Sequence, residues 1–543
     1  MLQHASKPGF GLKILPAAPP RPAVRRRFLI AGIAAYLVLG VAVCVTTAPL
    51  PDEGLVANPA FNLATTGVMA TTLFADRDTG PAAGCGTVRD CLAKVKSLAG
   101  HHEESFVGMR RFTYWIMPAY LLIQAAWYRL IGFGVIQARL LALLWGPLLI
   151  GACYYLVTGL FGSRRAAAIS VGLLATDMTV LGTGSFARMD MFCAALGYAA
   201  LAVYVYLRET QLNRAVFVAN ALAALACFAH PNSALAVAGL VTIAFSLDFR
   251  RLRWRHAVLG AAPYMVGAVA WACYIAQAPA IFLSQFLANA SGRGSKLFSP
   301  LAAIKSEILF RYGDRFGIGP GAAGLSAHSK TVVLALFWTA CLVALLTWKS
   351  WSRENRVLFR VLAVYAVLLT FGEGMKFGFY LIHIIPLYCC VVAVVADRAL
   401  ASVTWQRAAA VAALAAIGLV NLSWWTTRVR ANAYGKDFAP AAEFLRPHLA
   451  QVSDAMCAPA VSFGLGFPAN CRLDTALLMK AGGPDLIAVS AEWWNDFNDT
   501  KFLNAQLYGS RTARLEKEYW PAYTNSRYRV FLRRTPYVAD GTR

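Results

Sequence analysis

The chain has 543 residues, of which 58% are hydrophobic and 14% are charged, and its formal net charge is +24. Soluble domains carry about 25% charged residues, so the composition indicates a membrane protein. A charge of +24 could also attract nucleic acid, but the basic residues fall in short clusters between apolar runs. Loops that follow the positive-inside rule explain such clusters, and nucleic acid is therefore excluded as a partner.

The first apolar run, residues 28–48, is long enough to cross a bilayer. Basic residues precede it, and because Lys and Arg stay on the cytoplasmic side, residues 1–27 are predicted to form a cytoplasmic tail. No small-residue cleavage pattern stands before Pro51, so the run is predicted to be an anchor and not a cleaved signal peptide. Asp52 and Glu53 follow the run directly and are predicted to lie at the outer surface.

Further apolar segments begin after a polar stretch that ends near residue 111, and they continue to about residue 425. Together with the first run they predict about eleven membrane crossings. The ten later crossings are predicted at 136–161, 166–184, 191–207, 216–229, 233–248, 257–277, 331–348, 358–372, 378–396 and 408–425.

The segment 112–131 is apolar but is interrupted by aromatic side chains and by Arg129. If it crossed the membrane, basic clusters such as 250–255 would lie outside. If it lies flat in the interface, every basic cluster falls inside, and aromatic and Arg side chains suit an interfacial helix. We therefore predict an interfacial helix. The clusters that this choice places inside are 164–165, 208–214, 250–255, 349–360 and 398–407.

This topology divides the chain into three parts. The tail 1–27 precedes an all-α transmembrane domain, residues 28–429, whose outer loop 49–135 carries the acidic pair. Residues 430–543 combine charged and turn-forming residues with short apolar runs, which predicts a small α/β domain outside the membrane. The other segments predicted to lie outside are 185–190, 230–232, 278–330 and 373–377.

Twelve cysteines give an independent check on the topology. Eight lie in apolar spans, where a thiol is an ordinary packing residue. The other four, Cys85, Cys91, Cys457 and Cys471, all fall in segments predicted to lie outside, where disulfides persist. Pairing Cys85 with Cys91 and Cys457 with Cys471 is the simplest of three open arrangements. Neither pair has the ligand spacing of a zinc site.

Acidic and basic residues gather at the predicted outer boundary of the membrane. Each could be an ordinary interfacial charge, since exposed ion pairs contribute little energy. Their convergence favours a functional site, because ionisable residues at membrane depth are costly and usually face a cavity. The residues that gather there are Asp52, Glu53, Arg188, Asp190, His230 and Lys376.

A site with two carboxylates at a membrane boundary suits glycosyl transfer from a lipid-linked donor. A carboxylate can take the proton of an acceptor hydroxyl as that oxygen attacks the anomeric carbon. The leaving lipid phosphate needs Arg, Lys or His nearby, and the cation-like sugar centre prefers carboxylates around it. A single displacement would invert the anomeric configuration.

The tract Asp52-Glu53-Gly54-Leu55-Val56-Ala57, continuing to Gly67, resembles the first outer loop of GT-C glycosyltransferases. The group in question contains protein O-mannosyltransferases, lipid A aminoarabinose transferases and bacterial lipopolysaccharide sugar transferases. The matches extend over residues 28–400. Those that follow the first loop are the segment from Thr113 to Gly132 (the family's interfacial helix), Ala138-Arg139-Leu140 (its next span), Arg188-Met189-Asp190 (its second acidic loop) and the segment from Lys376 through Tyr380 to Pro386 (its late Lys/Tyr/Pro segment).

The resemblance implies a GT-C fold, a polyprenyl-phosphate-linked sugar as donor and Asp52 as the catalytic base. Glu53 and Asp190 are further candidate catalytic residues. The acceptor would be a glycan, lipid or protein of the cell envelope, and membrane lipids surround the enzyme. The site would face outward from the cytoplasmic (inner) membrane. No metal ligands and no certain cofactor are predicted; the family's second acidic loop is sometimes discussed with a divalent cation, which stays an alternative.

Four residues are predicted to bind the donor. Arg188, His230 and Lys376 cap spans on the face that holds Asp52, and the resemblance places Lys376 and Tyr380 near the donor phosphate. The chain departs from the family at two places: Arg111-Phe112-Thr113 replaces a Pro-Pro-Leu entry to the interfacial helix, and His230-Pro231 stands where relatives often carry Lys-Gly.

A transporter or lipid-linked-sugar flippase is the competing class. It would also place charges at membrane depth, but such proteins usually show internal repeats and spans broken by Gly or Pro near the midplane. Neither feature is present in the sequence, and a transporter does not need a large outer tail. A membrane scaffold without catalysis is a third class, against which the convergence of charges argues.

Overall fold

The computed structural model describes residues 26–74, 108–291, 299–319, 325–473, 483–490 and 514–534. Helices dominate up to residue 451, and a small sheet follows. The first ten helices are α1 (Arg27–Thr46), α2 (Pro51–Thr66), α3 (Pro118–Ile131), α4 (Val135–Leu143), α5 (Gly146–Phe161), α6 (Arg164–Thr176), α7 (Met178–Gly184), α8 (Asp190–Leu207), α9 (Leu212–Cys227) and α10 (Ala234–Asp248).

The remaining helices complete the bundle and lead into the sheet. They are α11 (Trp254–Ile275), α12 (Pro279–Ser291), α13 (Pro300–Ser306), α14 (Gly313–Phe316), α15 (Leu325–Leu346), α16 (Asn355–Val367), α17 (Ile385–Leu400), α18 (Thr404–Ala431), α19 (Ala439–Gln451) and α20 (Pro459–Leu465). The strands are β1 (Ala455–Cys457), β2 (Cys471–Arg472), β3 (Leu486–Ser490), β4 (Tyr519–Thr524) and β5 (Tyr528–Arg533).

The protein is a multi-pass membrane protein. Within the described ranges, eight helices are long and apolar enough to cross a membrane, or nine if the pair α6 and α7, bent by 56°, forms one span. The two other predicted crossings coincide with α9 and α17, which have 16 residues each. A helix or a bent helix pair therefore stands at each of the eleven predicted crossings.

The basic clusters meet at one end of the bundle, opposite the end that carries Asp52, Glu53 and Asp190. The contacts that join them are Arg208 with Glu354 (3.2 Å), Phe161 with Trp351 (5.9 Å between ring centroids) and Arg165 with Asp397. Arg27 at the start of α1 and Arg164 after α5 line one pocket. The chain therefore crosses once in α1 and returns in α4 and α5, so α3 does not cross, as predicted for the segment 112–131.

Helix α8 lies at the centre of the bundle and presents Asp190 at its first position. It is buried along nearly its whole length. Gly197 lets α8 approach α10, because a Cβ at that position would lie only 3.0 Å from the Cβ of Ala236. Small residues allow close helix contact in membranes, where no hydrophobic effect drives the helices together.

The C-terminal sheet has five strands in the order β2-β1-β3-β5-β4. β1 pairs in parallel with β2 and β3, whereas β5 pairs antiparallel with β3 and β4. This confirms the predicted small domain of mixed α and β structure. Cys457 and Cys471 form the predicted disulfide; Cys85 and Cys91 lie outside the described residues.

The orientation of the bundle gives a testable prediction. We expect single cysteines near positions 101, 320 and 500 to react with a membrane-impermeant thiol reagent in intact cells. Cysteines near 210, 253 and 354 should react only after permeabilisation, because their basic clusters are retained on the cytoplasmic side. Labelling at 253 in intact cells would contradict the orientation.

Candidate active site

A cavity of about 330 Å³ opens at the acidic end of the bundle. Charged and polar side chains on its wall are Asp52, Arg188, His230 and Tyr380. Aromatic rings from several elements form much of the remaining wall, and they are Trp115, Phe286, Phe377 and Phe379. The structure thus brings four of the seven predicted site residues to one cavity.

Arg188 joins the two acidic loops. Its Nε donates to Asp190 Oδ2 at 2.8 Å, and its Nη1 donates to Asp52 Oδ2. The guanidinium stacks on the ring of Phe379, with 4.0 Å between Cζ and the ring centroid. Burial acts to lower the pKa of Arg188, but Asp190 and Asp52 outweigh burial and hold that pKa above its usual value. Arg188 is therefore a fixed cation between two carboxylates.

The two carboxylates of this bridge differ in their surroundings. The side chain of Asp52 is 45% exposed and borders the cavity, whereas that of Asp190 is 1% exposed. The hydrogen bond of Asp52 to Arg188 uses Oδ2, so it does not occupy Oδ1. A reacting group that must meet substrate has to be accessible, which favours Asp52 over Asp190 as the base.

Glu53 does not border the cavity. Its carboxylate forms a bidentate pair with Arg139, at 2.7 and 2.6 Å, and neither side chain is exposed. It also accepts from the backbone N–H groups of Leu50 and Ala187, each at 3.0 Å. These four hydrogen bonds fix the start of α2. These contacts favour a positioning role for Glu53, and its catalytic role stays a prediction.

The local sequence explains why α2 begins at this point. Pro51 occupies the first helical position, where the missing N–H costs nothing. Glu53 stands at the third position and reaches back to the N–H of Leu50, which is the acidic half of a capping box. The helix start leaves the side chain of Asp52 on the cavity side and that of Glu53 on the buried side.

Asp190, His230 and His383 form a buried cluster under the cavity. Asp190 Oδ1, His230 Nε2 and a ring nitrogen of His383 lie within 4.8 Å of one another. His230 Nδ1 accepts from the N–H of Asn232 at 3.1 Å, so the ring proton of neutral His230 sits on Nε2, 4.0 Å from Asp190 Oδ1.

Such a cluster raises the question of a metal ion, since two histidines and a carboxylate form a common zinc set. Ligation by His230 Nε2 would require the proton to move to Nδ1, where it would face the N–H of Asn232. The other oxygen of Asp190 is already bonded to Arg188. In this tautomer His230 does not offer Nε2 as a ligand, so the absence of metal ligands stays a prediction, with a divalent cation at this cluster as its alternative.

Lys376 is not on the wall of the cavity. Its Nζ lies 2.8 Å from Glu307 Oε2 and donates to the backbone oxygens of Leu369 and Thr370, at 3.0 and 2.7 Å. Burial lowers the pKa of Lys376, and Glu307 opposes that effect. Three oxygens surround its three N–H groups, so the predicted contact of Lys376 with the donor phosphate is not supported.

Arg311 completes this second buried cluster. It is fully buried and donates to Glu307 and to the backbone oxygens of Leu369 and Met375, each at 3.1 Å. The cluster holds the segment that carries Phe377, Phe379 and Tyr380 onto the cavity wall. Arg311 lies in the segment 278–330 that was predicted to lie outside; Arg293 and Lys296, two further basic residues of that segment, lie outside the described residues.

No family model matches the sequence, and no curated protein sequence matches it significantly. Solved structures do match. ArnT from Cupriavidus metallidurans bound to undecaprenyl phosphate superposes with a TM-score of 0.54 at 17% identity, covering 94% of this chain and 98% of that one. Its apo state gives 0.52 at 16% identity, covering 93% and 97%. The Archaeoglobus fulgidus oligosaccharyltransferase tethered to an acceptor peptide gives 0.53 at 12% identity, covering 92% and 72%.

The chain has the GT-C fold. The fold and its division into a helical membrane domain and a small C-terminal sheet agree with the resemblance read from the sequence. At these identities the likeness concerns the fold, and the roles of individual residues rest on the geometry of this site.

Sequence reasoning missed three residues that shape the cavity and its surroundings, namely Arg139, Glu307 and His383. Arg139 lies in the tract Ala138-Arg139-Leu140 that resembles a family span, but the sequence alone predicted no function for it. An arginine within an apolar run is costly unless it is paired, so this signal could have led to Glu53. His383 carried no such signal, because Asp190 and His230 come from segments far away in the chain. Glu307 has a local partner in Arg311, four residues on, but its contact with Lys376 joins two distant segments.

The cluster around Lys376 leads to a prediction. We expect Lys376→Met to lower the free energy of unfolding by about 1.5–3 kcal/mol, the contribution of a charged hydrogen-bond partner, because Glu307 then keeps only Arg311. The affinity for a polyprenyl-phosphate sugar should stay at the parent's value. Thermal unfolding and donor binding in detergent measure the two quantities.

Lys349→Met is the matched control, since Lys349 is an exposed lysine outside this cluster, and the same change there should leave stability and donor binding unchanged. If Lys376→Met binds the donor more weakly but is as stable as the parent, Lys376 contacts the donor phosphate and the expectation above is wrong.

Proposed function

We propose that this protein is an integral-membrane glycosyltransferase. It moves a sugar from a polyprenyl-phosphate-linked donor to an acceptor at the outer face of the cytoplasmic membrane. The N-terminus is cytoplasmic and the C-terminal domain is extracytoplasmic. The observation that carries the proposal is the half-exposed carboxylate of Asp52 on an aromatic-walled cavity at the end of the bundle, held by the same arginine that holds Asp190.

In the proposed reaction Asp52 is the general base. The acceptor hydroxyl oxygen forms a bond to the anomeric carbon, and its proton passes to Asp52 Oδ1. The bond from the anomeric carbon to the phosphate oxygen breaks, and its electron pair leaves on the lipid phosphate. Attack opposite the leaving group inverts the anomeric configuration. General-base catalysis of this kind contributes about 10²–10⁴ in rate.

Arg188 is the proposed electrostatic partner of the leaving phosphate. Its Nε and Nη1 are used by the two aspartates, and a guanidinium has five N–H donors, so donors of Nη2 can bind a phosphate oxygen. The charge on that oxygen grows as the sugar leaves, so the contact strengthens in the transition state. A cation already fixed between the carboxylates supports transfer without a metal ion.

The shape of the cavity supports a lipid-linked sugar as substrate. Its volume of about 330 Å³ lies within the range of about 300–1,000 Å³ typical of small-molecule sites. The rings of His230 and Tyr380 lie 5.2 Å apart on its wall, next to Phe377 and Phe379. Aromatic faces suit the apolar face of a sugar ring and the first units of a polyprenyl chain.

The solved structures support both substrates of the proposed reaction. ArnT binds undecaprenyl phosphate, and the archaeal oligosaccharyltransferase was captured with an acceptor peptide. We propose a lipid-linked donor for this chain by that likeness and by the position of Asp52. The proposed acceptor is a glycan, lipid or protein of the cell envelope.

Asp52→Asn tests the proposed base. The amide keeps the size of the carboxylate but cannot take a proton, so kcat should fall by about 10²–10⁴ while donor affinity changes little. The measurement is transfer from a radiolabelled polyprenyl-phosphate sugar by purified protein in nanodiscs. If the Asp52→Asn variant has the kcat of the parent, Asp52 is not the general base.

Glu443→Gln is the matched control, because Glu443 is an exposed carboxylate of α19 outside the cavity. If the parent moves the lipid-linked sugar across the membrane of proteoliposomes but forms no glycoside, the protein is a flippase and not a transferase.

Arg188→Lys tests the bridge between the two loops. A lysine keeps the charge but cannot bond both aspartates and a phosphate at once. We expect kcat/KM to fall by about 10- to 150-fold, the equivalent of about 1.5–3 kcal/mol. Arg129→Lys is the control, since Arg129 is exposed and bonds only backbone oxygens of α2. Equal losses in both variants would contradict a specific role for Arg188.

A further inference from the structure

We infer that the C-terminal domain is part of the catalytic apparatus, because its helix α20 backs helix α2 and sets the position of Asp52. Gly54, Pro459 and Phe467 are the positioning residues of this contact. The inference rests on the proposed function and adds to it a role for the outer domain. Three separate contacts between the domain and α2 carry it.

The first contact is at Gly54, directly after the acidic pair. A Cβ at this position would collide with the carbonyl oxygen of Pro459, and it would lie 2.8 Å from the carbonyl carbon and 3.2 Å from the Cβ of Phe463. Real Cβ atoms do not approach backbone atoms so closely, so the contact requires glycine. The backbone of α20 therefore touches the first turn of the helix that carries Asp52.

The second contact is an aromatic cluster at the same interface. Phe61 of α2 lies 4.7 Å from Phe133 and 5.5 Å from Phe467, measured between ring centroids. Phe467 has φ 59°, a left-handed conformation that is unfavourable for an aromatic residue. The chain accepts this strain after α20, and the result is a ring of the outer domain packed against α2 and Phe133.

The third contact runs through the segment after α2. Asn58 Oδ1 accepts from the N–H of Thr72 at 2.7 Å, and Asn62 donates to the oxygen of Ala70 at 2.7 Å, so the segment is fixed to α2. Its Leu73 oxygen accepts from the N–H of Leu473, which follows β2, at 2.5 Å. The edge of the outer sheet is thereby connected to the same helix.

The disulfide fixes α20 within its own domain. Cys457 ends β1 and Cys471 begins β2, and the 14-residue separation between them contains the whole of α20. The hydroxyl of Ser462 in α20 donates to the backbone oxygen of Cys471 at 3.4 Å. Helix α20 is therefore fixed within its own domain. Helix α2 is held by Arg139 on the membrane side and by α20 on the outer side.

Gly54→Ala in the full-length protein tests the inference. We expect kcat to fall by about 10- to 100-fold, because displacement of a catalytic group by about 1 Å can cost about 10²-fold. The KM for the donor should stay within about twofold of the parent. Hydrogen exchange of residues 53–58 should become faster, while that of α8 stays unchanged.

Gly151→Ala is the matched control. It adds the same methyl group to a membrane helix at a position where nothing lies within 4 Å. Phe467→Gly is the second variant, because glycine adopts the left-handed backbone without strain. It should keep the outer domain folded but slow transfer and speed exchange in residues 53–58.

The outcomes are distinguishable. Parent-like kcat and exchange in both Gly54→Ala and Phe467→Gly would overturn the role of the outer domain. A second outcome is that hydrogen exchange of residues 53–58 becomes faster in both variants while the unmodified protein transfers no sugar. This would overturn the proposed function but would leave the support of α2 by the outer domain intact. A parallel loss of transfer and of overall stability in Phe467→Gly would mean that its ring is merely structural.

Discussion

The site depends on the buried ion pair between Glu53 and Arg139. All five N–H groups of Arg139 are used, by Glu53 and by the backbone oxygens of Cys44, Thr47 and Ala48. The arginine thus caps the end of α1, where a cation is favourable, while Glu53 caps the start of α2. Removing one partner of a buried pair costs about 3–5 kcal/mol, so this pair fixes the turn that carries Asp52.

A second consequence of the pair concerns the loop before α8. Glu53 also accepts from the N–H of Ala187, and the next residue, Arg188, bridges Asp52 and Asp190. The two acidic loops are therefore joined once through the buried carboxylate and once through the guanidinium at the cavity. Both connections link residues 52–53 to residues 187–190. The distance between Asp52 and Asp190 is therefore set before a substrate binds, which is what electrostatic preorganisation requires.

The sequence predicted the positions of the apolar helices well, because hydrophobic runs are local signals. The parity of the predicted crossings placed Asp52, Arg188 and His230 on one face, whereas the prediction for Tyr380 came from the family resemblance; all four line the cavity. The sequence did not separate Asp52 from Glu53, or Arg188 from Lys376. Charged residues beside a membrane look alike in sequence, and burial against distant partners, such as Arg139 and Glu307, decides which of them meets the cavity.

The charged residues at the cavity end of the bundle form two groups, one buried and one that lines the cavity. Glu53 with Arg139, and Glu307 with Arg311 and Lys376, are buried pairs whose hydrogen-bonding groups are largely used by the protein. These pairs fix the segments that form the wall of the cavity. They cannot bind substrate without losing their present partners. Asp52, in contrast, lines the cavity with a half-exposed side chain while its Oδ2 is held by Arg188. A base needs both features, because the held oxygen fixes its position and the other one accepts the proton.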